Sequence, residues 1–70
     1  LQADEKKMIQ KIVSDLPEKF RIPIHLYYSA DLSIQEIAEI LKIPEGTVKS
    51  RLNKARQLLK KELEEIGYDR

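Results

Sequence analysis

Seventy residues, 41% hydrophobic and with only four aromatics (Phe20, Tyr27, Tyr28 and Tyr68), make one small domain whose core supports about 3–5 kcal/mol of net stability. The absence of cysteine excludes a disulfide framework and a Cys-based zinc site, and fits a reducing, cytoplasmic setting. A formal charge of +1 favours no partner by itself, and no apolar run approaches the ~20 residues of a membrane span.

The hydrophobic periodicity predicts four helices and no strand, an all-α fold. The first runs from about Asp4 to Ser14, with Met8, Ile9, Ile12 and Val13 on one face and Leu16 just beyond. Asp4 and Glu5 in its first turn suit the helix dipole. The second starts at Leu16-Pro17-Glu18, with Pro17 as initiator, and carries Phe20, Ile24, Leu26, Tyr27 and Tyr28. Pro23 inside it removes the hydrogen bond to residue 19, so a kink or irregular turn is expected rather than a break. Ser29 to Leu32 form a short connection.

Ser33 three residues before Glu36 is a capping box that opens the third helix. Ile34, Ile37, Ala38 and Leu41 then follow at i, i+3, i+4 and i+7 as one buried stripe. Lys42-Ile43-Pro44 ends that helix, and Pro44 suits the first turn of the next, where its missing N–H costs nothing. Val48, Leu52, Ala55 and Leu59 form the buried stripe of the fourth helix, which is expected to reach Ile66 and stop at Gly67. A short capped helix, a tight turn and a second helix, about residues 33–62, constitute a helix-turn-helix. The chain begins at Leu1 rather than Met, so it is expected to be a piece of a longer protein; nothing in it resembles a signal peptide.

The charges are unevenly distributed. Residues 1–41 carry five Lys/Arg against seven Asp/Glu, a net of −2; residues 42–61 carry seven basic residues against Glu45 alone, a net of +6; residues 62–70 return to −3. A basic block on the second helix of a helix-turn-helix is the footprint of phosphate binding. With the apolar stripe buried, Gly46, Lys49, Ser50, Asn53 and Lys54 face outward. Lys49 and Lys54 suit guanine O6/N7, and Asn53 suits adenine N6/N7. Gly46 allows close approach of a nucleic-acid backbone, Thr47 offers a hydroxyl to phosphate, and the helix N-terminus attracts it. Arg51 and Arg56 lie to the side and suit phosphate, although Arg51 could instead pair with Glu36 or Glu39. Lys60 and Lys61 are three turns from the docking end and read as a solvated face. Of the adjacent Tyr27 and Tyr28, one is expected to pack; Tyr27 is the candidate backbone contact. Catalysis has no support: His25 is the only histidine, no cluster has metal-ligand spacing, and no glycine-rich phosphate loop exists. No enzyme activity, metal or cofactor is expected.

Three segments resemble the C-terminal region-four domain of bacterial sigma factors, most nearly the extracytoplasmic-function group. They are Leu16-Pro17-Glu18-Lys19-Phe20-Arg21-Ile22-Pro23, Leu32 through Leu41, and Ile43 through Arg56, in which Gly46-Thr47-Val48-Lys49-Ser50-Arg51 with Ala55-Arg56 is the most specific part. The resemblance spans about residues 10–63. It implies a cytoplasmic bacterial domain that binds the promoter −35 element and docks on the β flap of RNA polymerase, with an anti-sigma factor as a further partner and a separate region-two domain serving the −10 element. Carried over by position, it implies base or groove contacts from Lys49, Ser50, Asn53 and Lys54, and backbone support from Ser33, Thr47 and Arg51. Two positions depart from the pattern: Lys42 stands where the family often has Gly, which implies a side chain at a positive φ, and Asn53 stands at a variable position. The apolar residues Met8, Ile9, Ile40, Leu58 and Leu63 are read either as ordinary core or as surface that meets the polymerase flap.

Two other functions fit parts of the pattern. One is the DNA-binding output domain of a response-regulator or quorum-type transcription factor. The other is an interaction module whose basic helix binds an acidic partner.

Overall fold

The computed structural model describes residues 3–67. The side chains of Asp4 and Glu5, and residues Tyr68, Asp69 and Arg70, fall outside the described residues. The order of elements is α1 (Ala3–Ser14), α2 (Glu18–Ile24), a π-helical turn (His25–Ser29), α3 (Ile34–Leu41) and α4 (Glu45–Glu65). Among the described residues there is no strand.

Both proline-marked helices start one position later than the sequence implies. Pro17 and Pro44 are N-caps with extended backbone, ψ 146° and 151°, and the first helical residues are Glu18 and Glu45. The reason is hydrogen-bonding: the Pro17 carbonyl accepts from the N–H groups of Phe20 and Arg21, and the Pro44 carbonyl from those of Thr47 and Val48, as the carbonyl of a capping residue does.

Pro23 leaves α2 intact. The helix runs through it, and the His25 N–H closes onto the carbonyls of Arg21 and Ile22. The irregularity follows the proline, as a widened turn in which the Ala30 N–H reaches back five residues to the His25 carbonyl at 3.0 Å. Ser29 therefore belongs to the helix, and the connection begins at Ala30. Asp31 turns the chain with φ +63°, a conformation that Asp tolerates better than most side chains, and the Leu32 N–H bonds the Leu26 carbonyl at 3.0 Å.

The capping box of α3 is complete. The Glu36 N–H donates to Ser33 Oγ at 3.1 Å, and the Ser33 N–H donates to Glu36 Oε1 at 2.8 Å. At the other end Lys42 adopts the left-handed conformation (φ 59°, ψ 47°), and the Ile43 N–H bonds the Ala38 carbonyl at 3.1 Å, the six-residue closure of a Schellman motif. A side chain thus occupies the positive-φ position, as the departure from the family pattern implied. Gly67 ends α4 with φ +81°.

The core joins Val13 of α1, Leu16 just beyond it, Ile24 of α2, Ile37 and Ala38 of α3, and Val48, Leu52 and Ala55 of α4. Ile37, Val48 and Ala55 have no exposed surface. At about 1.5 Å per residue α4 is roughly 31 Å long and outruns this core, so Leu59 is half-buried rather than buried. The apolar surplus divides: Ile9 and Leu58 pack on the core, Met8 and Leu63 are half-buried, and Ile40 is 55% exposed. Among the described residues no helix is long and apolar enough to cross a membrane.

Candidate nucleic-acid interface

The face of α4 opposite Val48, Leu52 and Ala55 carries Gly46, Ser50, Asn53 and Lys54, with Lys49 at its edge, and all five are exposed. The geometry follows from burial: once one stripe of a helix is fixed in the core, residues half a turn away project outward. Gln57, one turn beyond Asn53 and also exposed, extends the same face; its place after Asn53 at i+4 was available in the sequence, but it carries no charge to draw notice.

Gly46 is not required by the fold. A Cβ built there meets nothing within 4 Å, and its φ lies outside the positive region. Glycine lowers helix stability relative to alanine, so internal packing gives no reason for it. The open space does leave room for an external backbone to come close.

The remaining residues lie on the flanks. Thr47 is half-buried in the first turn. Arg51, also half-buried, faces a cleft of about 260 Å³ lined by Glu18, Ile22, Leu41 and Ile43, on the side of α2. Among the described residues the only ion pair is Lys11–Asp15 at 4.0 Å, so the expected alternative pairing of Arg51 with Glu36 or Glu39 is not made. Among the described residues no carboxylate within that distance neutralises the basic block of residues 42–61. Lys60 and Lys61 are exposed farther along α4.

The tyrosines divide as one packed and one exposed. Tyr27, the candidate backbone contact, is half-buried against the core, whereas Tyr28 is 56% exposed. Their rings meet edge to face at 4.9 Å. Arg56 Nε donates to the Tyr28 hydroxyl at 2.8 Å, and Arg56 Nη1 lies 3.5 Å from Asn53 Oδ1. Arg56 is therefore tied to the π-turn rather than free. Tyr27 borders a shallow hollow with Asp31, Ser33 and Glu36. Ser33 Oγ accepts from the Glu36 N–H, so its own hydroxyl proton remains available. His25 is exposed, and no group of three or more metal-ligating side chains is found among the described residues.

The family model described as Sigma-70, region 4 matches residues 6–59. The chain belongs to the sigma-70 region 4 family. Relatives of this region 4 domain include the ECF RNA polymerase sigma factor SigW of Bacillus subtilis, 47% identical over 58 residues, covering 83% of the chain and 31% of the relative. SigM of the same organism, also an ECF RNA polymerase sigma factor, is 37% identical over 84% of the chain and 36% of its own length. The ECF RNA polymerase sigma-E factor of Haemophilus influenzae is 30% identical over 94% of the chain and 35% of its own length. The region 4 domain thus spans about a third of the length of these curated relatives. Membership of this family decides between the sigma-type and response-regulator-type readings of the helix-turn-helix in favour of the first.

Proposed function

We propose that this domain recognises the promoter −35 element with α4 in the major groove and docks on the β flap of RNA polymerase, as the region 4 part of an extracytoplasmic-function sigma factor in the bacterial cytoplasm. The observation that carries the reading is the coincidence of three features on one helix: a net charge of +5 over residues 45–61 of α4, no acidic partner within ion-pair distance among the described residues, and an outward face of small and hydrogen-bonding residues at its N-terminal half. The relatives are sigma factors of RNA polymerase by name, which supports the same assignment.

In this reading Lys49, Ser50, Asn53 and Lys54 meet base edges. Gly46 and Thr47, at the helix N-terminus, meet the phosphate chain. Ser33 donates its free hydroxyl proton to a phosphate. The carboxylates of Asp31 and Glu36 beside it oppose an anion, so this contact contributes less than those on α4. Arg51 and Arg56 add positive charge on either flank, and Tyr27 offers its hydroxyl at the border. An anti-sigma factor is the further partner the family implies. No catalytic step is assigned.

The test is binding of the chain to a set of −35 duplexes between low and high salt, beside an assay with the polymerase β flap. The reading expects sequence-dependent affinity whose logarithm falls linearly with the logarithm of salt concentration. Binding that is independent of sequence, or that has no salt slope, would sink it.

A further inference from the structure

Asn53 has the donor and the acceptor of a side-chain amide, and a free asparagine can turn either toward a base. Its surroundings bias that choice. Arg56, one turn farther along α4, sits in the notch between two tyrosines of the π-turn, its guanidinium carbon 6.0 Å from the Tyr27 ring centre and 5.7 Å from that of Tyr28. The two rings stand nearly perpendicular, at 82°. The widened turn is what brings neighbouring residues onto one target: it advances less angle per residue than an α-helix, so Tyr27 and Tyr28 both reach Arg56. The Nε bond to the Tyr28 hydroxyl, 2.8 Å, then fixes the plane of the guanidinium and aims Nη1 at Asn53.

A guanidinium has five donors and no acceptor. Only the carbonyl oxygen of the Asn53 amide can accept from it, and at 3.5 Å, the outer limit of a hydrogen bond, the contact is a weak orienting one. The amide NH2 is left directed away from Arg56.

We propose that Tyr28 is a positioning residue for base readout: acting through Arg56, it sets the polarity of the Asn53 amide so that Asn53 enters the groove as a hydrogen-bond donor. This rests on α4 being the recognition helix. The base edges it selects are those that accept, guanine O6 and N7, adenine N7 and thymine O4. Cytosine, which presents its N4 amine, is disfavoured. The two-bond contact to adenine N6 and N7 expected for a free asparagine is disfavoured relative to a single donated bond, because the amide oxygen, which keeps a second lone pair, is turned toward Arg56 and away from the groove.

The test uses the wild-type chain, Tyr28→Phe, Asn53→Ala and the double variant. Tyr28→Phe removes one exposed hydroxyl and keeps the ring, so folding is preserved. Each protein is titrated with −35 duplexes in which every base pair is replaced in turn. The wild type is expected to discriminate against cytosine at one position, and Asn53→Ala to abolish that discrimination. Tyr28→Phe is expected to relax it by about three- to tenfold, the range of one ordinary hydrogen bond, and to add nothing in the Asn53→Ala background. Preferences unchanged in Tyr28→Phe, or changed equally with and without Asn53, would overturn the proposal. A second arm needs no DNA: 15N spectra of the free wild type and Tyr28→Phe. The Arg56 Nε–H and Asn53 side-chain amide signals are expected to shift together while Lys60 stays in place; an Asn53 signal that does not move overturns the network. If the wild type shows no base preference at all, the recognition-helix reading fails, and the spectra still decide whether Tyr28 orients Asn53.

Discussion

Replacing Gly46 with alanine should make the domain more stable and a poorer DNA binder. Glycine in a helix is less favourable than alanine by roughly 0.5–1 kcal/mol, because it loses more backbone freedom on folding. Gly46 is the second residue of α4, in the first turn, where the effect lies at the lower end, about 0.5 kcal/mol. Nothing offsets it: the added methyl meets no atom within 4 Å, and the backbone does not occupy the left-handed region. In a domain of this size about 1 kcal/mol moves the melting midpoint by roughly 4–8 °C, so Gly46→Ala should raise it by about 2–4 °C in a thermal circular-dichroism scan. The same methyl projects from the face assigned to DNA and keeps the phosphate chain from coming as close. Affinity for a −35 duplex at fixed salt should fall. A lowered midpoint would show that the methyl clashes internally. A raised midpoint with unchanged affinity would remove Gly46 from the interface.

Substitutions at Lys42, Ser33, Ile37 and Lys54, with Lys60 as a control, probe the rest of the domain. Lys42→Gly relieves a left-handed side-chain position worth roughly 1–2 kcal/mol, part of which returns as unfolded-state entropy, so a net gain of about 0.5–1 kcal/mol is expected in denaturant titration; Lys42→Ala should give no such gain. Ser33→Ala removes the hydroxyl half of the capping box and should cost about 1 kcal/mol, read by the same titration. Ile37→Ala empties a fully buried site, and a loss of roughly 2–5 kcal/mol against a total of about 3–5 should leave the chain largely unfolded in a circular-dichroism scan at 37 °C. Lys54→Ala should weaken binding by about 1–3 kcal/mol and relax preference at one base pair if it is a base contact. Lys60→Ala should have a smaller, sequence-independent effect, and equal effects of the two in duplex titrations would refute the face assignment.

What could be read from the residues was whatever depends on near neighbours. The Ser33–Glu36 box spans three positions and carries its own chemistry, and the spacing of Val48, Leu52 and Ala55 identifies the buried stripe of α4 without reference to any other helix. Gly67 stops α4 because a left-handed residue is easiest without a Cβ. The proline starts were displaced by one position, since the preference for proline near a helix start does not distinguish the cap from the first helical residue. Pro23 signals a missing N–H, but how the chain compensates depends on what α2 packs against, and the widened turn at His25–Ser29 has no periodicity of its own. Choosing between Tyr27 and Tyr28 depended on that turn. The Tyr28–Arg56 bond joins residues 28 apart in the chain, beyond any local rule, and with it the orientation of Asn53 was hidden. The positive φ of Lys42 was foreseeable only through the glycine common at that position in the family, whereas that of Asp31 carried no signal beyond a tolerance shared by many turn residues.

Mapping where DNA touches the domain tests the central claim most directly. A −35 duplex titrated into the 15N-labelled chain should perturb the amide signals of Gly46, Thr47, Lys49, Ser50, Asn53 and Lys54, and leave Lys60, Lys61 and the α1 residues Lys6, Lys7 and Lys11 in place. Perturbations centred on α1 or on the end of α4, with residues 46–54 unmoved, would contradict the assignment of α4 as the helix that reads the promoter.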